Sequence, residues 1–184
     1  MASCFTKNCD PYILTDFIVP ENRTGDTLDG NFFTFTGMCG IFGSIITNFK
    51  VTKASKAEFP ALDGQSTSLA VLQFPGGGVN PPNTHPRAAV LLFMVQGSLQ
   101  FGLVDSTNKL YTRTLQFRDL FVFPKGLVHY QSNCDWNKSA IAVSAFSSAY
   151  ATTLFATGVD DQILAKSFKT DVATIQKIKA GLSS

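Results

Sequence analysis

Short apolar runs separated by turn-forming residues fill the chain from residue 30 to residue 149. The runs are rich in Val, Phe, Ile and Thr, and clusters of Gly, Pro and Asn interrupt them. This spacing is typical of a sandwich or barrel built from short strands. The sequence therefore predicts an all-β domain, with strands at residues 32–36, 45–52, 68–74, 89–96, 99–105, 109–115, 120–123, 128–131 and 140–146.

The pattern becomes helical after Tyr150. Asp160 or Asp161 can cap one helix, which would carry Ile163, Leu164 and Phe168, and Thr170 can cap a second helix that ends near Gly181. The second helix has an apolar stripe that must dock on another surface, formed by Val172, Ile175, Ile178 and Leu182 opposite Lys177 and Lys179. We therefore predict an N-terminal extension over residues 1–30, a β-barrel over 31–150 and helices for subunit packing over 151–184.

Composition excludes two classes of partner. Lys and Arg number 15 against 13 Asp and Glu, and the basic residues are scattered without a stripe that could follow a phosphate backbone. No apolar run approaches the roughly 20 residues of a membrane-spanning helix. Nucleic acid and membrane are therefore not expected as partners. The low charged fraction of 15% favours buried or self-associating surface, and thus a homo-oligomer.

The N-terminus and the cysteines leave alternatives open. The first residues lack the apolar centre of a secretory signal, so the chain either stays inside the cell or has lost a signal peptide. Sequons at Asn22 and Asn137 fit a secreted glycoprotein. Four cysteines allow three pairings if all are oxidised, and we predict one N-terminal disulfide with buried thiols, or Cys134 as a pocket thiol: Cys4, Cys9, Cys39 and Cys134.

Two motifs carry the chemical information. They read Gly77-x5-Asn83-Thr84-His85-x4-Val90-x6-Gly97 and Arg118-x5-Pro124-Lys125-Gly126-x2-His129-x3-Asn133. Their spacing resembles that of the two cupin motifs. The stretches 75–116 and 119–133, together with the sequence from about residue 10 to residue 182, are similar to plant germin-like proteins. One departure is Arg118, which stands where the second motif normally opens with glycine.

The resemblance implies a cupin jelly-roll β-barrel with a C-terminal α-helical extension. It further implies secretion to the apoplast after removal of a signal peptide, and a hexamer built as a trimer of dimers in which the helices clasp adjacent subunits. It also implies a Mn(II) site formed by two His, one Glu and a third His. In this chain those four positions hold Asn83, His85, Val90 and His129.

Two of the four ligands are therefore replaced. Mn(II) is a hard cation that needs carboxylate oxygen beside imidazole, and Val90 offers none. We expect no metal cofactor, with Mn as the alternative if the site is retained. The resemblance associates oxalate oxidase and superoxide dismutase activities with some members of the family, and without the metal ligands these activities are not expected here.

The interior is instead predicted to hold a small organic ligand. Strand alternation and the resemblance aim a mostly apolar set of side chains inward, formed by Asn80, Asn83, His85, Val90, Leu92, Met94, His129 and Gln131. His85 and His129 could act as acid and base, with Asn83 or Asn80 polarising a carbonyl.

Three functions follow from this interior. The leading hypothesis is a metal-independent enzyme of plant specialised metabolism that catalyses cyclisation, isomerisation or elimination. The second is a non-catalytic secreted binding or structural protein, which predicts a filled or collapsed cavity. The third is a residual metalloprotein with oxidase or dismutase activity, its metal held by His85, His129, Asn83 and water.

Overall fold

Two antiparallel sheets form the body of the molecule. A computed structural model describes residues 12–21, 28–149, 160–167 and 169–182. The chain divides into two compact units, residues 1–151 and 152–184. The strands of the first unit are β1 (Lys50–Ala54), β2 (Ser68–Phe74), β3 (Val79–Asn83), β4 (Val90–Gln96), β5 (Leu99–Val104), β6 (Leu110–Leu115), β7 (Leu120–Phe123), β8 (Val128–Ser132) and β9 (Ala140–Phe146). The sheets have the orders β1-β2-β9-β4-β7 and β3-β8-β5-β6.

The core lies between the two sheets. Along β4, Val90, Leu92 and Met94 are buried while Leu91 and Phe93 are exposed. This alternation is the two-residue period of a strand with one face in the core. The buried cluster combines side chains of β2, β4, β7 and β9 with those of β5 and β6. The predicted all-β jelly roll is confirmed.

One strand prediction was wrong, a second was displaced and one strand was missed. The strand expected at residues 45–52 is β1, which begins only at Lys50 because its ladder with β2 starts at the Lys50–Gln73 pair, next to the end of β2. Residues 32–36 form no strand, and the amides of Phe32 and Phe33 donate to the carbonyls of Asp29 and Gly30 in successive turns. Three phenylalanines in five residues imitate a strand, but these turn hydrogen bonds take the backbone donors of the first two. Strand β3 was missed because Pro81 and Pro82 argue against a strand; they lack N–H donors, and the β3–β8 ladder shifts register between Asn80 and Asn83.

The segment around Ile41 covers part of the outer face of the five-stranded sheet. Ile41 packs on Val71 and Ile141. The side-chain amide of Gln73 fastens this segment by donating to the Ile41 carbonyl at 3.3 Å and to the Ser44 hydroxyl at 3.1 Å. The remaining part of that face exposes what we call the β4–β7 patch, formed by Leu91, Phe93, Leu120 and Val122.

The second unit contains the two predicted helices, α1 (Asp161–Ser167) and α2 (Val172–Leu182). The Asp160 carboxylate caps α1 by accepting the amide of Gln162 at 2.9 Å. Asp171 caps α2 by accepting the amide of Thr174 at 2.8 Å, so the assignment of this cap to Thr170 was wrong.

Parts of the predicted helical stripe can be placed. Ile175 is buried and Val172 is half-buried, whereas Phe168 and the side chains of Ile178 and Leu182 lie outside the described residues. Within the described ranges, no helix has the length and apolar character needed to cross a membrane.

Candidate functional site

Strands β3 and β8 bring Asn83 and His129 together. The two residues are direct cross-strand partners beyond the register shift that the prolines cause. Asn83 is buried, and its side-chain amide donates to the Pro81 carbonyl at 2.8 Å. This bond closes the bulge and fixes the Asn83 side chain beside the imidazole of His129.

His85 follows β3 and lies next to His129. The two ring centroids are 5.2 Å apart, and the planes are inclined by 45°. The His85 carbonyl accepts the amides of Ala88 at 3.3 Å and Gly126 at 3.1 Å. Gly126 has a φ of +80°, which glycine adopts without strain, and this turn joins the second motif to the first. His85 is half-buried, so the histidine pair is open to solvent on the His85 side.

The imidazole of His129 is buried and neutral near pH 7. Its Nδ1 lies 2.9 Å from the Leu127 carbonyl, which can only accept, so Nδ1 carries the proton and Nε2 the lone pair. The ring stacks on Phe123 with centroids 4.3 Å apart. Burial lowers its pKa to about 4; the Leu127 hydrogen bond opposes this shift, and the nearby His85 adds to it.

Apolar side chains pack against the two histidines. Val90 pairs across the sheet with Phe123 on one side and Phe146 on the other. Phe146 also packs against His85 in a T-shaped arrangement, with ring centroids 5.1 Å apart. Leu92 and Met94 lie on the same strand as Val90 and are fully buried.

The side chains of Asn80 and Gln131 form a hydrogen bond with each other. The amide of Asn80 donates to the Gln131 carbonyl oxygen at 2.5 Å, between residues that are cross-strand partners. Of the eight predicted interior residues, the structure brings Asn83, His85 and His129 together. Val90, Leu92 and Met94 belong to the apolar core, and Asn80 and Gln131 already bond to each other.

The donor set at this position does not fit Mn(II). The side chains there are two imidazoles, one amide and the alkyl group of Val90, without a carboxylate. Among the described residues, no group of three or more His, Cys, Asp or Glu is arranged to hold a metal ion. A hard divalent cation prefers oxygen ligands, and carboxylate supplies both oxygen and negative charge. The mismatch between this position and the Mn(II) site that the resemblance implies is therefore one of side-chain chemistry.

The other predicted site residues lie elsewhere. Cys39 and Cys134 are both exposed, so the prediction of buried thiols was wrong for these two. Cys134 follows the end of β8 remote from His129, and its thiol donates to the Gln100 side chain at 3.5 Å. Asn137 is exposed, and Cys4, Cys9 and Asn22 lie outside the described residues.

Two described cavities are also separate from the histidine pair. One, of about 620 Å³, is lined by Phe35, Phe59 and Asp63 among others. The other, of about 320 Å³, is lined by residues that include Gln116 and Lys138.

Sequence reasoning missed three contributors to the site. Phe123 and Phe146 cover the histidines, and the Leu127 carbonyl fixes the tautomer of His129. Phe123 immediately precedes Pro124 of the second motif, and that position could have indicated it. The Leu127 contact depends on the turn after β7 and leaves no side-chain signal.

Comparisons with known proteins agree with this architecture. The model of the Cupin family matches residues 44–176. Germin-like protein 9-3 of Oryza sativa subsp. japonica is 53% identical over 186 residues, which cover 95% of this chain and 86% of that protein. Germin-like protein subfamily 2 member 2 of Arabidopsis thaliana is 34% identical over 196 residues, covering 95% and 89%.

The solved structure of a recombinant oxalate oxidase in complex with glycolate superimposes with a TM-score of 0.76. It is 25% identical and covers 94% of this chain and 98% of that one. Family model, relatives and solved structure agree on the fold. The chain therefore belongs to the cupin family and, within it, to the germin-like proteins.

Proposed function

We propose that this germin-like protein is a metal-independent catalyst of proton transfer on a small organic molecule. His129 removes a proton, and His85 exchanges one with the leaving or receiving atom. The reaction class is a non-redox elimination, isomerisation or cyclisation, in the setting of a secreted protein of plant specialised metabolism.

The observation that supports this proposal is the pair of imidazoles in an apolar, carboxylate-free interior. Leu127 holds Nδ1 of His129, which directs the Nε2 lone pair away from that turn. With a pKa of about 4, His129 stays in its basic, neutral form throughout the range above pH 5. His85 lies 5.2 Å away by ring centroids, close enough to handle a second proton.

Elimination of 5-nitrobenzisoxazole tests the proposal without knowledge of the natural substrate. A base takes the C3 proton, the C3–H electron pair forms the nitrile as the N–O bond breaks, and the oxygen leaves as a coloured phenolate. We expect turnover that EDTA leaves unchanged and that falls about 10²-fold in His129→Gln. The rate should be flat above about pH 5, since free imidazole would instead titrate near 6.5.

Tyr130→Phe is the matched control, because Tyr130 neighbours His129 on β8 but covers Gly102 of β5 with its ring. It should retain the wild-type rate. Turnover that survives in both His129→Gln and His85→Gln would refute the proposal. So would turnover that disappears with EDTA.

A second candidate function is non-catalytic binding or structural support. The packing of Phe123 on His129 and of Phe146 on His85 favours it, because these rings fill space that a substrate would need. It predicts that the wild type and both histidine variants eliminate 5-nitrobenzisoxazole no faster than buffer alone does.

We further propose that the protein self-associates through the β4–β7 patch. Leu91 faces Val122 and Phe93 faces Leu120 across the two strands, which makes one continuous exposed apolar surface. Strand β7 is at the edge of its sheet, so a second copy can meet both the apolar side chains and the open edge. The trimer of dimers that the resemblance implies is a specific form of this proposal.

Light scattering during size-exclusion chromatography measures the association. Phe93→Lys combined with Val122→Lys should lower the particle mass by at least one subunit, because two unpaired charges would be buried at the contact. Thr112→Lys is the control, since it adds charge to an exposed position of β6. An unchanged mass in the double variant would contradict the proposed contact.

A further inference from the structure

The last residue of each motif lies away from the histidines, at the other end of β8. Gly97 and Asn133 border a cleft of about 320 Å³, lined by Gly97, Ser98, Gln116, Phe117, Asn133, Asp135, Lys138 and Ser139. We call it the Asn133 cleft. Asn133 is four positions after His129 along nearly extended chain, which places the two residues about 13 Å apart.

Asn133 holds the cleft in shape. Its side chain is almost fully buried and donates to the carbonyls of Pro75 at 2.9 Å and Lys138 at 2.7 Å. Its side-chain oxygen accepts the amide of Asp135 at 3.1 Å. The backbone of the loop from residue 133 to residue 139 is therefore fixed at two points, which lowers the entropy that a ligand would have to overcome.

A close approach of two loops forms one boundary of the cleft. Gly97 has a φ of +71°, and a Cβ there would lie 2.7 Å from the Ser139 carbonyl oxygen. Only glycine fits this contact, which explains its place in the first motif without any role at the histidines.

The lining offers mixed hydrogen-bonding chemistry beside an aromatic ring. Asp135 provides acceptors, Lys138 provides donors, and Gln116, Ser98 and Ser139 provide both. No ion pair of the described residues joins Asp135 to Lys138. Phe117 is 55% exposed, and Arg118 lies over its ring at 4.7 Å.

The same loop exposes the side chain of Trp136. This residue is 79% exposed, and its ring lies against Gly77, where an added Cβ would come within 2.4 Å of it. Part of the six-membered ring therefore rests on the glycine loop while most of the side chain remains in solvent. An exposed aromatic ring held in this way offers a flat surface for an apolar ring face of a ligand.

We propose that the Asn133 cleft binds a neutral oligosaccharide. Each sugar hydroxyl both donates and accepts, which matches a lining that contains donors, acceptors and groups of both kinds. The C–H faces of sugar rings pack on Phe117 and, for a longer chain, on Trp136. The balanced pair of Asp135 and Lys138 favours a neutral ligand over an anion or a cation. This site is separate from the histidines, so its test is independent of the proposed catalysis.

Trp136 is the only tryptophan of the chain and reports binding directly. The full chain, produced in bacteria so that Asn137 carries no glycan, is titrated with cellotetraose while tryptophan emission is recorded. We expect a saturable change with a dissociation constant on the order of 1 mM, typical of a small ligand with few contacts. Glycerol at equal hydroxyl concentration serves as the control for general solvent effects.

Two variants locate the binding site. Phe117→Ala and Lys138→Met should each weaken cellotetraose binding about tenfold, because one loses the ring contact and the other a charge-assisted hydrogen bond. Lys125→Met removes the same charge from an exposed turn and should bind as the wild type does. Amide shifts in ¹H–¹⁵N spectra should cluster at residues 97–98, 116–117 and 135–139.

Three results would each overturn the proposal: no saturable emission change with cellotetraose, an equal change with glycerol, or wild-type affinity in both cleft variants. Amide shifts centred on His85 and His129 would also overturn it, since the sugar would then occupy the other site. Far-UV circular dichroism shows whether each variant is folded. The two exposed side chains were chosen so that substitution leaves the core intact.

Discussion

The double variant Asn83→His with Val90→Glu should be about 3–5 kcal/mol less stable than the wild type in metal-free buffer, and Mn(II) should restore much of the loss. Val90 is 3% exposed and pairs with Phe123 and Phe146. A carboxylate at this position loses its hydration and finds no cation, which is the costly case of an uncompensated buried charge. A metal ion at about one hundred times its dissociation constant would return about 2.7 kcal/mol.

Urea unfolding with EDTA and with added Mn(II) measures both effects, and elemental analysis gives the metal content per subunit. Asn83→His with Val90→Gln is the matched control, because it keeps the size and polarity of the new side chain without its charge. The control should gain little from Mn(II). If the wild type takes up one Mn(II) per subunit and is stabilised as much as the double variant, the donor-set inference is wrong.

Stability should also fall in mild acid through His129. Its pKa is about 4 in the folded protein against a reference value of 6.5. Between these two values the unfolded chain binds a proton that the folded chain rejects, so the free energy of unfolding rises as the pH rises. The full contribution of this one group is about 3 kcal/mol, present above pH 6.5 and lost as the pH falls through 4.

Urea unfolding at a series of pH values between 4 and 7 checks this window. Subtracting the profile of His129→Gln isolates the histidine from the carboxylates Glu58, Asp105, Asp161 and Asp171, whose pKa values are lowered below their usual range. The difference between the two profiles should slope in this window and be flat above it. A flat difference, or an imidazole that titrates near 6.5 by NMR, would show that His129 is hydrated in the folded state.

Local patterns were sufficient for most of the strands and for both helices. The alternation in β4 and the capping aspartate of α1 can be recognised from neighbouring residues, because the two-residue and 3.6-residue periods are properties of the local backbone. The pattern failed at residues 32–36, where Phe32 and Phe33 belong to turns, at residues 45–49, which precede β1, and at β3, where two prolines hide a strand. Strand β3, whose pairing with β8 is irregular, is the element that places Asn83 in the site.

Arg118 shows how a sequence departure becomes clear in three dimensions. It has a φ of +74°, and its amide donates to the Met94 carbonyl at 2.9 Å. Glycine adopts this conformation without strain, which accounts for glycine at the start of the usual second motif. Here the guanidinium lies over Phe117 at 4.7 Å, a favourable contact that glycine could not make.

The sequence by itself determined the fold class, the two motifs and the absence of a carboxylate at Val90, because these are properties of residue type and spacing. Only the tertiary structure decided the neutral state of His129, the exposure of Cys39 and Cys134, and the meeting of Gly97, Asn133 and Lys138 in one cleft. Protonation and exposure depend on which distant strands cover a side chain, and strand register is set by contacts between residues far apart in the chain.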